Sequence, residues 1–295
     1  MKRELAAAVS IPVVLAILFF TPPIFFHALV AAVALAALWE FYRLAEKTGH
    51  PVAKTIGMAA GALILLASAV TFAGEEAIQT ASSSSSSSFI LLSSRPLTAR
   101  WVAAGCVCLL LLLVLAAVLA PLVGGVSPSL ALSGAGSTLL GVLSIALPAS
   151  TFCYLRSFSP RAVLFLLGLV WVCDSAAYYG GSRWGKHKLT PVISPKKTWE
   201  GSILGFAGAT LFGAAAGTWW LLPELGPVRA AITAAVASTA GQWGDLVESM
   251  WKRGAGVKDS GVFLPGHGGF YDRIDSLLFA GPAVAAFLAC ASPRL

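Results

Sequence analysis

Long apolar runs separated by short polar stretches dominate this chain, and their lengths predict about nine membrane-spanning helices. The first run is Leu5 to Phe20. After only Thr21-Pro22-Pro23 a second begins, from Ile24 to about Tyr42, and ends in Trp39, Tyr42, Arg43 and Lys47, a headgroup-type boundary. The bases before the first run suit a signal peptide, but a second run so soon after a Pro-Pro turn favours two joined spans. The third span is Val52 to Phe72, the fourth Trp101 to about Val123 and the fifth Leu130 to about Tyr154, with Pro148 as a kink near its end. The sixth covers Ala162 to about Tyr179, the seventh Ser202 to Leu222 and the eighth Arg229 to about Met250. The ninth, Leu277 to Cys290, is shorter. Gly74 to Arg100 breaks the pattern: its serine run, Ser82 to Ser88, buries no core and predicts a disordered loop.

Composition agrees with this pattern. The chain is 57% hydrophobic and 11% charged, against about 25% charged in soluble domains. The net charge of +7 does not point to nucleic acid, because the bases sit in loops between apolar segments. They read as a topology signal. With the N-terminus and alternate loops in the cytoplasm, fourteen of the twenty Lys and Arg residues fall on that side. N-terminal membrane spans, residues 1–160, with a Ser-rich non-cytoplasmic loop at 74–100, are then followed by a C-terminal membrane domain, residues 161–295, which carries both densely charged loops. The five cysteines lie within or beside apolar runs without zinc-ligand spacing and read as small apolar residues.

Against so apolar a background, charge marks the candidate chemistry. Asp245 and Glu248 share a helix face with Gln242 one turn earlier, and Asp272 and Asp275 repeat the spacing. Carboxylates from two helix ends can converge on a hard divalent cation such as Mg²⁺. Lys252, Arg253 and Lys258 between them can neutralise phosphate, and the surrounding glycines let backbone N–H groups approach an anion. Asp174 lies inside the sixth span, where an acid is costly and marks a polar interior. Gly180 to His187 nearly spells a phosphate loop, but His187 replaces the required Ser or Thr and an apolar helix precedes it, which excludes that motif. Ser194-Pro195-Lys196-Lys197-Thr198 sets two hydroxyls and two ammoniums just before a helix start, a second phosphate candidate. Ordinary juxtamembrane pairing is the bland alternative for each group alone.

At these residues the sequence resembles the phosphatidate cytidylyltransferases (CDP-diacylglycerol synthases). Their pattern S-x-x-K-R, then K-D, then H-G-G-x-x-D-R-x-D is matched by Ser249, Lys252, Arg253, Lys258, Asp259, His267, Gly268, Gly269, Asp272, Arg273 and Asp275. A second block agrees, from Asp174 and Tyr178 through SPKKTWEG, Ser194 to Gly201. The resemblance covers roughly Ala162 to the C-terminus. It implies an all-α polytopic integral membrane protein with its active site in a cytoplasm-facing interfacial cavity. It also implies an enzyme that joins CTP and phosphatidate into CDP-diacylglycerol, releasing pyrophosphate. It further implies a divalent metal, allows a potassium ion beside it, and implies a homodimer of bacterial inner-membrane type with cytoplasmic catalytic loops. On this reading Asp245 and Asp272 are the main metal carboxylates, with Asp275 and Glu248 in support. Lys196, Lys197, Lys252 and Arg253 meet phosphate, Lys258 and His267 assist, and Ser194, Thr198, Glu200, Arg273, Asp174 and Tyr178 line the substrate site. Two alternatives differ in class: a CTP-dependent polyprenol kinase, and an ion-coupled transporter using the intramembrane acids.

Overall fold

The computed structural model describes residues 12–84, 112, 115, 116, 119, 127–261 and 268–291. The start of the first expected span, most of the fourth, the serines from Ser85 onward and His267 lie outside the described residues. The chain divides into two compact units, Met1–Ser157 and Phe158–Leu295.

In the first unit, residues 12–20 form helix α1. Pro22 and Pro23 interrupt the backbone hydrogen bonding, and Pro23 opens α2, Pro23–Lys47. Gly49 then turns the chain at φ 82° into α3, Lys54–Ser84. Here the structure corrects an expectation: the loop foreseen from Gly74 is helical as far as Ser84. Glu75, Glu76, Ala77 and Gln79 are good helix formers, and they carry the helix past its apolar part, Lys54–Ala73. The last helix of this unit is α4, Pro128–Phe158. Just before Pro148, where the sequence suggests a kink, lies a π-helical stretch, Val142–Ala146. Proline cannot donate to the carbonyl a turn before it, and wider hydrogen-bonding absorbs the vacancy. Buried Tyr42 donates its hydroxyl to the Thr138 carbonyl at 2.9 Å, and the Thr138 hydroxyl accepts from the Ala53 N–H at 3.0 Å. Those two bonds tie α2, α4 and the approach to α3 together.

The second unit holds α5 (Pro160–Trp184), the strands β1 (Lys188–Thr190) and β2 (Ser194–Thr198), α6 (Trp199–Leu221), α7 (Gly226–Gly254) and α8 (Tyr271–Ala291). The Ser159 side chain caps α5 by accepting from the Arg161 N–H. Glycine sets the packing of α5 on α6. A Cβ on Gly201 would lie 2.7 Å from the Ala177 carbonyl, and one on Gly205 would lie 2.9 Å from that of Cys173. Without side chains there, the backbones approach closely, as small residues allow in apolar surroundings. α7 meets α8 likewise at Gly244, where a Cβ would stand 2.7 Å from the Asp275 carbonyl oxygen.

Among the described residues six helices are long and apolar enough to cross a membrane, so the chain is an all-α polytopic membrane protein. α7, the eighth expected span, is a 29-residue helix but is not one of the six, since Gln242, Asp245, Glu248, Lys252 and Arg253 dilute its apolar character. α8 starts at Tyr271, ahead of the expected Leu277, which puts Asp272 and Asp275 on the helix itself. The polar loop between α5 and α6 is an antiparallel hairpin, with Lys188 opposite Thr198 and Thr190 opposite Ser194.

Candidate active site

The hairpin, the C-terminal halves of α5 and α7 and the N-terminal ends of α6 and α8 carry most of the charged residues of the second unit. Asp174, Ala177 and Tyr178 from α5, Lys188 from β1, Lys196 and Lys197 from β2, and Gln242 and Asp245 from α7 line a cavity of about 620 Å³. Its wall on α6 is the helix start. Thr198 there caps α6 by accepting from the Gly201 N–H at 3.2 Å, and Gly201 and Ser202 face the same space. Ser202 donates to Gln242 Oε1 at 2.5 Å, and Gln242 Nε2 returns a bond to the Ser202 carbonyl at 3.3 Å, which joins α6 to α7.

One side of the cavity is acidic. Carboxylate oxygens of Asp245, Glu248 and Asp275 all lie within 4.8 Å of one another. Charges so close repel strongly in a poorly solvated site unless cations offset them. Two lysines do so in part. Lys197 Nζ is 2.5 Å from Asp245 Oδ2, and Lys252 Nζ is 2.5 Å from Glu248 Oε2 and 2.7 Å from Asp272 Oδ1. Lys252 occupies the last turn of α7, beyond the expected end of the span at Met250. Burial opposes its charge, but the neighbouring Glu248 and Asp272 outweigh burial and hold its pKa above the usual lysine value.

Glu248 is fully buried, and neither of its oxygens has an aligned hydrogen-bond donor. The Lys252 ammonium is close enough for an ion pair but does not satisfy both oxygens. A buried carboxylate left this way is costly, and a cation shared with Asp245 and Asp275 would relieve it. Asp245, Glu248 and Asp275 are the described carboxylates whose spacing could hold a hard divalent cation.

Asp272 belongs to a different network. Its Oδ2 accepts from the Ser260 N–H at 2.9 Å, the Ser260 hydroxyl at 2.9 Å and the Gly269 N–H at 2.7 Å, while Oδ1 holds Lys252. These bonds fasten the loop after α7 to the start of α8. Gly268 makes the approach possible: it sits at φ 77°, and a Cβ there would be 2.6 Å from Asp272 Oδ2. The stacked rings of Trp251 and Tyr271, 6.2 Å apart, brace the same junction.

The remaining candidates divide by location. Glu200 faces His187, whose backbone N–H and ring Nδ1 both meet its carboxylate. Arg253 donates from Nε to the Ile193 carbonyl and from Nη1 to that of Val257, each at 3.2 Å, so it ties the hairpin turn to the end of α7. Ser194 pairs within the hairpin. Lys258 and Arg273 are exposed, and His267 is outside the described residues. Sequence reasoning passed over Ser202, Lys188 and Ser260. Serines in a Gly/Ala-rich helix and in a glycine loop look like any others, and only the folded contacts single them out.

The same arrangement has relatives. A cytidylyltransferase family model matches residues 1–291. A Haemophilus influenzae protein named phosphatidate cytidylyltransferase is 32% identical over 97% of this chain and 97% of its own. A Staphylococcus epidermidis protein of that name is 41% identical over 157 residues, 51% of this chain and 57% of the relative's length, and one from Synechocystis is 43% identical over 126 residues. The chain thus spans little more than half of several of the curated relatives it matches, and nearly all of the Haemophilus one. A match over almost every residue, joined to a Gly-braced helical site with lysines facing carboxylates, places this chain in the cytidylyltransferase family.

Proposed function

We propose that this protein transfers the cytidylyl group of CTP to phosphatidate, giving CDP-diacylglycerol and pyrophosphate for phospholipid synthesis. The observation that carries the reading is the cavity at the hairpin, with lysines on one wall and Asp245 of the three-carboxylate group on another. The name shared by the relatives favours nucleotidyl transfer over the polyprenol-kinase and transporter readings.

A phosphate oxygen of phosphatidate attacks the α-phosphorus of CTP and forms the new P–O bond. The bond from that phosphorus to the bridging oxygen breaks, and its electrons leave with pyrophosphate. The nucleophile is already anionic near neutral pH, so no strong base is needed. The demand is for positioning and charge neutralisation. Lys188, Lys196 and Lys197 supply positive charge on the hairpin wall. The α6 start adds the favourable end of the helix dipole beside Gly201 and Ser202. Tyr178 is exposed beside the cavity, where an apolar ring suits a lipid headgroup boundary. A magnesium ion held by Asp245, Glu248 and Asp275 would supply neutralisation of the triphosphate oxygens.

The reading places the protein in a bacterial inner membrane as a homodimer, with its N-terminus and hairpin on the cytoplasmic side, where CTP is. The base count along the loops supports this orientation. The test is release of pyrophosphate from CTP by the purified full chain in phosphatidate-containing vesicles. Mg²⁺-dependent, phosphatidate-dependent release is the expected result. Release without the lipid, or none with it, overturns the proposal.

A further inference from the structure

The two lysines that meet the carboxylates are held in different ways. Lys252 bridges Glu248 and Asp272 at 2.5 and 2.7 Å and its side chain is 13% exposed. Among the described residues Lys197 forms an ion pair with Asp245, at 2.5 Å, with Asp174 lining the same cavity, and the Lys197 and Asp245 side chains are 27% and 34% exposed. A fixed bridge and an accessible single pair respond differently to an incoming cation.

We infer that Lys197 is a resident counter-ion of Asp245, which a divalent metal ion displaces, freeing the ammonium to meet the nucleotide phosphates. The inference rests on the proposed reading of Asp245 as a metal ligand and adds to it an order of events and a role for Lys197. The Lys197 ammonium sits against Asp245, which shares a three-carboxylate group with Glu248 and Asp275. A metal ion taking that carboxylate meets the ammonium as a like charge, so the two compete for it.

The backbone of Lys197 has little freedom to follow. It lies in β2 between Ser194, paired with Thr190, and Thr198, which caps α6, and the Trp199 N–H bonds to the His187 carbonyl at 3.0 Å. Displacement is therefore a swing of the four-carbon side chain alone. The cavity it swings into is also lined by Lys188 and Lys196. Released, Lys197 adds charge where a triphosphate would lie. Metal and nucleotide then favour one another's binding through this side chain, and linkage makes the coupling reciprocal.

The consequence has a distinctive sign. A lysine that only binds phosphate keeps the same accessibility when metal is added without nucleotide, and it acts on metal affinity only through weak repulsion across the cavity. A lysine that competes with the metal weakens that affinity, and removing it tightens binding. The experiment measures Mn²⁺ binding to the purified full chain by electron paramagnetic resonance without nucleotide, for the natural chain and for Lys197→Gln, Lys197→Arg and Asp245→Asn. In parallel, acetylation of the Lys197 amine by a soluble N-hydroxysuccinimide ester is followed by mass spectrometry in the natural chain, which needs no variant to fold.

The inference expects roughly two- to fivefold tighter Mn²⁺ binding in Lys197→Gln, the range of a partly exposed ion pair, and little change in Lys197→Arg. It expects Lys197 labelling to rise on adding Mn²⁺ and to fall again when CTP follows. Unchanged or weaker Mn²⁺ binding in Lys197→Gln, or labelling indifferent to Mn²⁺, overturns the displacement, and the metal reading survives if Asp245→Asn weakens binding at least tenfold. Undiminished Mn²⁺ binding by Asp245→Asn overturns the metal reading and this inference with it.

Discussion

Glu200 holds His187 at two points: its carboxylate accepts from the His187 backbone N–H at 3.2 Å and meets ring Nδ1 at 2.7 Å. Glu200 stands in the first turn of α6 and His187 just before β1, so this clasp closes the base of the hairpin that carries Lys188, Lys196 and Lys197. Glu200→Gln keeps the shape but weakens both bonds, at about 1 kcal/mol. Amide hydrogen exchange across residues 188–198 is expected to speed up about fivefold, with the KM for CTP rising more than kcat falls. Unchanged exchange in the hairpin would remove the clasp from the account.

Lys252→Met tests the bridge below. It leaves Glu248 and Asp272 without their shared cation in a site where Glu248 is fully buried. Breaking a buried pair from one side costs about 3 kcal/mol or more. Thermal unfolding of the detergent-solubilised chain should show a clear drop in midpoint. Glu248→Gln in the same chain should recover part of it, because it removes the charge left behind. A midpoint as high as the natural chain's would mean that the bridge contributes nothing.

Sequence reading ranks Asp272 above Asp275 as a metal carboxylate, whereas in the structure Asp275 lies with Asp245 and Glu248 and Asp272 holds the loop and Lys252. Asp275→Asn is expected to weaken Mn²⁺ binding at least tenfold, because Asp275 shares the carboxylate group with Asp245 and Glu248. Asp272→Asn is expected to change Mn²⁺ affinity by less than about threefold and to lower the unfolding midpoint, because its oxygens hold Ser260, Gly269 and Lys252. The opposite pattern would return Asp272 to the metal.

Gly244→Val probes the helix contact that positions Asp275. An added Cβ would stand 2.7 Å from the Asp275 carbonyl oxygen and 2.7 Å from the Phe279 ring, so α8 must move. Overpacking of this kind costs roughly 1–3 kcal/mol. Both unfolding midpoint and Mn²⁺ affinity should fall, whereas Gly136→Ala, at a position open around its Cβ, should leave both unchanged.

Much of this could be read from the sequence where the physics is local. Run length marked the six spans found among the described residues, Pro22-Pro23 marked the break before α2, and the charges on so apolar a chain marked residues that gather near the hairpin. The spacing of Asp245 to Glu248 correctly put those two on one face. What could not be read depends on distant contacts. Asp272 and Asp275 each follow the glycine loop at helical spacing, and only the fold shows that Ser260 and Gly269 occupy the first while the second turns toward Asp245. Arg253 stands among the bases that sequence reading assigns to phosphate, and the fold adds a tie that spacing does not show: two of its donors meet the carbonyls of Ile193 and Val257. The hairpin itself was hidden because Lys188–Thr190 and Ser194–Thr198 are short, polar and devoid of alternation.

The exposed tryptophans of α6 have a consequence for the surroundings of the protein. Trp199 opens the helix and Trp219 and Trp220 close it, all more than half exposed. Indole rings settle at the boundary between headgroups and acyl chains. The 23 residues of α6 would reach about 34 Å at the α-helical rise of 1.5 Å per residue, and the wider π-helical turns of Gly213–Leu221 shorten it toward the thickness of an ordinary hydrocarbon core, about 30 Å. The helix is thus a ruler with an aromatic mark at each end, and the hairpin is fastened to one of them through Trp199. Thinning the bilayer with short-chain lipids would tilt the ruler, and the depth at which the cavity meets the headgroups would change with it.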